Sequence, residues 1–430
     1  MKSISISLVF ILAAAIAPAQ SPVEIVPGES LPSGTPVSQP LRPAVEELPT
    51  LPSVPERVEP IARNEQSPKP SALDRSWFSS DFLLYWAKGS RLPPLATVNS
   101  AGRLPTLDDP ATRVVLGGKR LAASELGGGR FTWGWSRDDA QTVGFEASYF
   151  FMGTHSQTFA VSGGGTYGSA LGRPLIDPLR GIENITFVSH PSMLGSLTTS
   201  LSERVQGWEA LGLAHLGAVS NIRFHALAGY RYFMLNEGIR LEQEATFRWL
   251  DDGLSTLQRT SATDQVDAHN RFHGGLLGVR AIWDSGRFFA RFDGKVSLGR
   301  TLQVTKISGQ TVSVGENSAG TTTEYFQGAV FGQPSNAGRH ERSAFGVLPE
   351  GTLQAGLRIG TSAKFFVGYN FLYLNDVIRA GDQLDRTVDL TQSLPGDPVA
   401  LRMPSTRPMV AFDRSSYWLH GVTLGLEWRY

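Results

Sequence analysis

The 430-residue chain contains no cysteine, which excludes disulfide staples and thiolate metal sites. It has no surplus of one charge either. Its 39 basic residues stand against 39 acidic ones, so nothing electrostatic argues for nucleic acid or a strongly acidic partner. Beyond Ile4–Ala17 no stretch approaches the roughly 18 consecutive apolar residues of a helical span. Patterns of the GxSxG, HExxH and P-loop kinds are missing as well, and with them the usual signs of a catalytic or cofactor-binding chain.

What is present begins with an export signal. Lys2 supplies a short positive region, Ile4–Ala17 is apolar, and Ala17-Pro18-Ala19 places small residues where a signal peptidase cuts. Residues 1–19 therefore read as a signal peptide and Gln20 as the mature start. Residues 20–74 hold twelve of the 26 prolines and no sustained period, which predicts a disordered or polyproline-type periplasmic linker. It serves either as a spacer or as an arm toward peptidoglycan or a partner. If the exported chain enters a membrane, strands must carry it, because lipid accepts only helices or closed barrels.

The remainder, 75–430, is written in strands. The organising stretch is the last one. From Val422 onward, Val422, Leu424, Leu426, Trp428 and Tyr430 share one face, and Thr423, Gly425, Glu427 and Arg429 share the other. Leu424, Leu426, Trp428 and Tyr430 form the expected C-terminal signal, an outward face ending on an interface aromatic that the barrel-insertion machinery would read. Trp77–Trp86 is the first strand, and Gly129–Ser136 and Gln141–Phe151 form a hairpin about Arg137-Asp138-Asp139-Ala140. The unit recurs as Val205–Leu216 with Asn221–Phe233, Arg271–Trp283 with Arg287–Leu298, and Ala344–Ile359 with Lys364–Leu374. Each run approaches the roughly ten residues that a tilted spanning strand needs.

Four short turns alternate with long segments at about 88–128, 152–197, 234–268, 300–343 and 375–415. That asymmetry predicts an all-β, transmembrane, antiparallel up-and-down barrel of about ten strands, with short periplasmic turns and long extracellular loops. Twelve strands is the alternative. Thr301–Val314, with Ser308-Gly309 as its turn, reads as a projecting extracellular hairpin. The glycine triplets at 127–129 and 163–165 read as flexible loop.

Several segments in order resemble the beta-barrel porin seven family of outer-membrane proteins: WFSSDFLLYWAKGSRLPPL (77–95), TRVVLGGKRL (112–121), GGRFTWGWSRDDAQTVGFEASYFFMG (128–153), AGYRYF (228–233), FGQPSNAGRHERSAFGVLPE (331–350), VGYNFLYLNDVIRAGDQLDR (367–386) and the terminal GLEWRY. The resemblance implies an outer-membrane barrel and outer-membrane lipid as its surroundings. It brings no substrate and no catalytic set.

With aromatic faces toward lipid, the opposite faces line the interior. They carry Asp81, Glu146, Glu209, Asp293, Glu350 and Glu427, and Arg223, Arg231, Arg280, Arg291, Lys295, Arg358 and Arg429. Charges in a narrow lumen must be paired or hydrated. Barrels of about eight strands are filled by their own side chains, whereas open channels appear at about 16 to 18. The set is therefore either an interlocked ion-pair plug or the lining of a narrow pore for small solutes.

An enzyme would have to draw on His155, His190, His269, His273 or His340 with acids such as Asp138, Asp251 or Asp252. His269 and His273 share a strand face at about 13 Å, too far for one metal, and His215 and His225 read as lumen or girdle residues. No cofactor, metal or nucleic acid is expected. The strand-end aromatics Trp133, Trp135, Tyr149, Tyr230, Tyr232, Tyr369, Tyr373, Trp428 and Tyr430 fit interface girdles better than a sugar-stacking platform. The function expected is a narrow porin-like channel or a structural envelope barrel, with a surface adhesion protein on a plugged barrel as the alternative.

Overall fold

A computed structural model describes residues 75–430, except 122, 139–140, 164–169, 252–253 and 393–404. The expected signal peptide and linker, Asp139, Asp252 and most of the second glycine triplet lie outside the described residues. Sixteen strands follow in chain order. They are β1 (Ser76–Ala87), β2 (Ala96–Asn99), β3 (Thr112–Leu116), β4 (Ser124–Ser136), β5 (Val143–Met152), β6 (His155–Gly163), β7 (Leu171–Ile176) and β8 (Glu183–Ser189). They continue with β9 (Met193–Val219), β10 (Ile222–Asp251), β11 (Leu254–Ser285), β12 (Phe288–Asn317), β13 (Gly320–Gln327), β14 (Gly338–Ile359), β15 (Ala363–Val377) and β16 (Ser415–Arg429).

Ten of these close a ring in the order β1, β4, β5, β9, β10, β11, β12, β14, β15, β16, and β16 pairs with β1. Every ring contact is antiparallel. All ten correspond to the runs that period-two alternation marks in the sequence. Side chains of one parity face inward and are buried. Those of the other parity, such as Phe82, Phe131, Trp133, Leu277, Phe292, Val367 and Leu424, stay exposed around the outside. Large apolar side chains arranged this way have only lipid to meet. The short turns at the periplasmic end use left-handed backbone at Gln141, Ser220, Gly286 and Gly360.

The long segments differ from expectation. Residues 234–268 are not a loop. β10 and β11 run as one ladder of 30 and 32 residues, from Ile222↔Trp283 to Asp251↔Leu254. β9 and β12 reach 27 and 30 residues, whereas β1, β4, β5, β15 and β16 have 10 to 15. About ten residues suffice to span, so one side of the ring continues outward as a tall sheet.

The hairpin expected at Ser308-Gly309 is also corrected. β12 passes straight through these residues, which pair with Gln265 and Asp264. Gly309 is small for another reason: a Cβ there would lie 1.9 Å from the Gly332 carbonyl oxygen, so glycine lets the 329–332 segment pack against the strand. The first triplet, Gly127–Gly129, lies within β4 rather than in a loop, because Gly128 and Gly129 sit against Phe151 and Met152.

Segments between β1 and β4 and between β6 and β9 contribute β2, β3, β7 and β8, which form a separate sheet in the order β3-β2-β7-β8. With 378–388 and the inner faces of β10–β12, it encloses an apolar core that includes Leu95, Leu175, Val188, Ile239, Val266 and Phe331. This cap sits at the extracellular mouth.

Candidate functional site

The interior of the ring is layered. The layer nearest the short turns is charged. Arg280 of β11 grips Glu146 of β5 with two nitrogens at 2.6 and 2.7 Å, and holds Asp293 of β12 at 2.8 and 3.0 Å. Arg291 reaches the same Asp293 at 2.6 Å and Glu146 at 3.7 Å. One level further in, Glu350 and Glu209 share Arg231 and Lys295. Lys295 lies 2.8 Å from Glu209 and 3.1 Å from Glu350, and Arg231 lies 2.8 Å from Glu209 and also bonds Glu350. Asn370 donates to Glu350 at 2.6 Å. These groups come from seven different strands, and the pairs Arg280–Glu146, Arg231–Glu350 and Lys295–Glu209, which join strands that are not neighbours, are also cross-links through the lumen.

Three of the expected lumen bases stand lower, at the periplasmic rim. Arg223 lies 3.7 Å from Asp284, Arg358 bonds the same Asp284, and Arg429 meets Glu427 at 3.0 Å. Sequence reasoning missed two inward bases. Lys364 pairs with Glu427 at 2.6 Å, and Arg130 stands opposite Asp81 and donates to the Tyr85 hydroxyl at 3.2 Å. Continuing the alternation of Thr132 and Gly134 back by two residues would have found Arg130. Between the pairs lies a cavity of about 90 Å³ bordered by Asp81, Arg130, Glu146, His225, Lys295 and Glu427, with room for a few waters.

Above the charges the lumen turns apolar. Leu83, Tyr85, Leu126, Phe150, Met152, Val205, Phe233, Leu235, Phe272, Leu348, Leu372, Leu374, Tyr417 and Leu419 form one buried cluster. Nine of the ten ring strands contribute to it, and β12 fills its own sector with the buried Ser297, Thr301 and Gln303. Inward glycines make space for inward rings. A Cβ on Gly346 would meet Phe272 at 2.6 Å, one on Gly207 would meet Phe150 at 2.6 Å, and one on Gly134 would meet the Trp77 indole at 2.0 Å. Each large ring therefore takes the space that a side chain would fill on a nearby strand instead of leaving the lumen open.

Two buried ion pairs then tie the cap down. Arg173 of β7 lies 2.8 Å from Asp264 of β11, both side chains being fully buried. The second oxygen of Asp264 accepts from the Phe331 and Gly332 amides at 2.7 Å each. Arg379 holds Glu237 of β10 through its Nε at 2.8 Å and donates to the Lys88 carbonyl at 2.8 Å. Opposite Glu237 stands Glu203 of β9, which accepts the Tyr417 hydroxyl at 2.7 Å.

A ring of ten antiparallel strands, lipid-facing outside and filled inside, is matched over residues 77–430 by the family described as "Putative beta barrel porin-7 (BBP7)". The chain belongs to this family. No curated protein matches it. Among solved structures, the outer membrane protease OmpT of Escherichia coli is 11% identical, with 84% of this chain and 99% of that one covered and a TM-score of 0.40. The Pseudomonas putida toluene transporter TodX is 9% identical over 83% and 90% of the two chains, with a TM-score of 0.21. A Pseudomonas aeruginosa FadL homologue is 9% identical over 82% and 90%, with a TM-score of 0.22. Nothing about the activity of this barrel rests on those likenesses. As a porin-7 barrel the protein is an integral protein of the outer membrane.

The histidines of this porin-7 barrel are scattered. His155 contacts Gln157, His190 contacts Ser192 and His340 contacts the Asn336 carbonyl, each a local interaction within a strand or turn. His269 and His273 both point out of the barrel, as their spacing predicts, and His273 meets the Tyr230 hydroxyl at 2.9 Å. His215 and His225 pair across β9 and β10 with ring centres 5.2 Å apart, and His225 faces the charged cavity. Asp138 caps its own turn by accepting the Thr142 amide. Leu424, Leu426, Trp428 and Tyr430 all lie on the exposed face of β16.

Proposed function

We propose that this porin-7 barrel is a sealed, passive envelope barrel whose ordered extracellular part is its working surface. The observation that carries this reading is the apolar layer drawn from nine of the ten strands. An ion crossing it would lose most of its water and meet only the few polar groups of β12 and the Tyr85 and Tyr417 hydroxyls, at a cost of several kcal/mol. The charged layer beneath then acts as a cross-link and not as a selectivity filter. Most of its acids and bases are already consumed by each other, and the cavity among them has room for only a few waters.

Catalysis forms no part of this reading: His155, His190 and His340 have local partners, His273 and His420 bond outer-face tyrosines, and the His215–His225 pair has only a ring contact with each other. Export through Met1–Ala19, and reading of Leu424, Leu426, Trp428 and Tyr430 by the insertion machinery, belong to it. A small-solute channel is the competing reading, and it requires both the apolar layer and the cap to move.

Adhesion or binding at the surface has its own support. β13 pairs with β12 alone, nearly all of its residues are exposed, and Tyr325 is 73% exposed. A free strand edge of this kind is a template for an extended partner.

Planar-bilayer recording on the refolded full chain, preceded by heat-modifiable gel mobility to verify closure, tests the main reading. Insertion without discrete current steps is expected. Salt-dependent unitary steps would overturn it and return the lumen charges to the role of a filter.

A further inference from the structure

The outside of the ring is not uniform at the height where the lipid band ends. One row across neighbouring strands reads Trp208, Tyr232, His273, Arg300, Phe345, and the row above it reads Gln206, Met234, Arg271, Leu302, Ser343. Both rows point outward. The first is the aromatic girdle itself, with Tyr232 and His273 rings 4.9 Å apart and Trp208 and Tyr232 rings 6.3 Å apart. Arg300 therefore sits within the girdle and Arg271 immediately above it, both exposed.

Among the described residues no acid forms an ion pair with either of these two arginines. Arg300 is held by the Ser343 hydroxyl at 2.8 Å, and Arg271 makes no hydrogen bond or ion pair among the described residues. Sheet geometry makes them diagonal neighbours at about 7–8 Å, a repulsive arrangement of like charges. The nearest acids of this face lie higher and are engaged, Glu341 by Arg339 at 2.8 Å and Asp267 by Gln265 at 3.1 Å. The corresponding row on the far side of the ring, Phe371, His420, Trp86, Glu125, has no arginine at all. Uncompensated like charges therefore occur together on one side, at the depth of the lipid headgroups.

We propose that Arg271 and Arg300, with the outward edge of His273, form a binding site for the phosphate of an outer-leaflet phosphorylated glycolipid. The ligand class follows from the chemistry. Guanidinium groups take phosphate through paired N–H donors, and the girdle below supplies the flat apolar surface on which acyl chains lie. Ser343 fixes one guanidinium and Tyr230 orients the imidazole, so the donors are partly positioned before lipid arrives. Lys306, two rows above Arg271 on the adjacent strand, opposite Asp267 in register and without an ion pair or hydrogen bond among the described residues, is the next contact for a larger headgroup.

The test uses the full chain refolded in neutral detergent at about 150 mM salt, with diphosphorylated lipid A as the probe, dephosphorylated lipid A and inorganic phosphate as controls, and native mass spectrometry as the readout. Retained diphosphoryl lipid, at least about tenfold tighter than the dephosphorylated form, is expected. R271Q/R300Q is expected to abolish that preference, while R240Q, an arginine of the same wall already paired with Glu242, leaves it intact. Because removing repulsion should not harm the fold, the double variant keeps wild-type heat-modifiable mobility, and R271K/R300K recovers part of the binding. Equal lipid retention by the wild type and R271Q/R300Q would overturn the site. Saturation by inorganic phosphate as tight as by the lipid would overturn the lipid assignment.

Discussion

Arg280 and Glu146 are joined by two hydrogen bonds across the lumen, although β11 and β5 are separated in the ring by β9 and β10. A pair of this kind fixes the cross-section of the barrel as well as its charge. Neither partner can relax toward water, since both side chains are almost fully buried.

Arg280→Met should therefore destabilise the barrel by about 3–5 kcal/mol, because Glu146 and Asp293 would be left with a single shared base. Urea unfolding followed by gel mobility measures it. The double variant Arg280→Met/Glu146→Gln should recover part of the loss. A single-variant cost below about 1 kcal/mol would mean that water, and not Arg280, neutralises the acids.

Gly134→Val would place atoms inside the Trp77 indole. The expected cost is about 1–3 kcal/mol, from forcing a packed ring off its rotamer. Near-ultraviolet circular dichroism should change while strand content does not. An unchanged aromatic spectrum would show that the indole is free to leave its glycine seat.

Asp264→Asn removes the charge that Arg173 and two amides share. The cap should loosen while the ring persists. Amide hydrogen exchange across β2 and β7 should speed up by at least about tenfold, a loss of roughly 1.4 kcal/mol of local protection, with exchange in the β1–β16 pairing unaltered. Uniform acceleration would mean that cap and ring unfold together.

Glu203 gives the extracellular wall a pH dependence. Five residues beyond Trp208 and above the lipid band, its carboxyl is raised above the ordinary value of 4.5, first by burial and then by the Glu237 carboxylate opposite. The folded state thus holds this proton more tightly than the unfolded state. Stability should fall as pH rises from about 4.5 through the raised value and then level off. In Glu203→Gln that slope should vanish, as read from thermal midpoints between about pH 4 and 8. A slope of unchanged size in the variant would assign the titration elsewhere.

Much of this was legible in the chain. Alternation such as Phe288, Ala290, Phe292 against Arg287, Arg291, Asp293 fixes both strand and face, since lipid and lumen demand opposite chemistry at successive residues. What lay above the membrane was less so. Past His273, β11 faces water outside and cap inside, and residues such as Asp264, Gln265 and Asp267 no longer contrast enough to reveal a strand. Gly309 was misread because a glycine that admits a neighbouring backbone looks, in sequence, like one that turns. Arg130 was missed although it lies within the expected strand Gly129–Ser136, because the inward face was followed back only as far as Thr132. Which acid meets which base was not readable at all. Arg280 and Glu146 are 134 residues apart, and only closure of the ring brings them together.

The tall side of the ring also constrains the order in which this molecule is made. The β10–β11 hairpin carries Arg240, Glu242, Glu244 and Arg259 far beyond the lipid band, and such a segment cannot cross hydrocarbon unaided. Nor can it thread a lumen already filled with rings and ion pairs. The hairpin must therefore reach the outside while the sheet is still an open ribbon, and the seam between β1 and β16 is the last to be sewn.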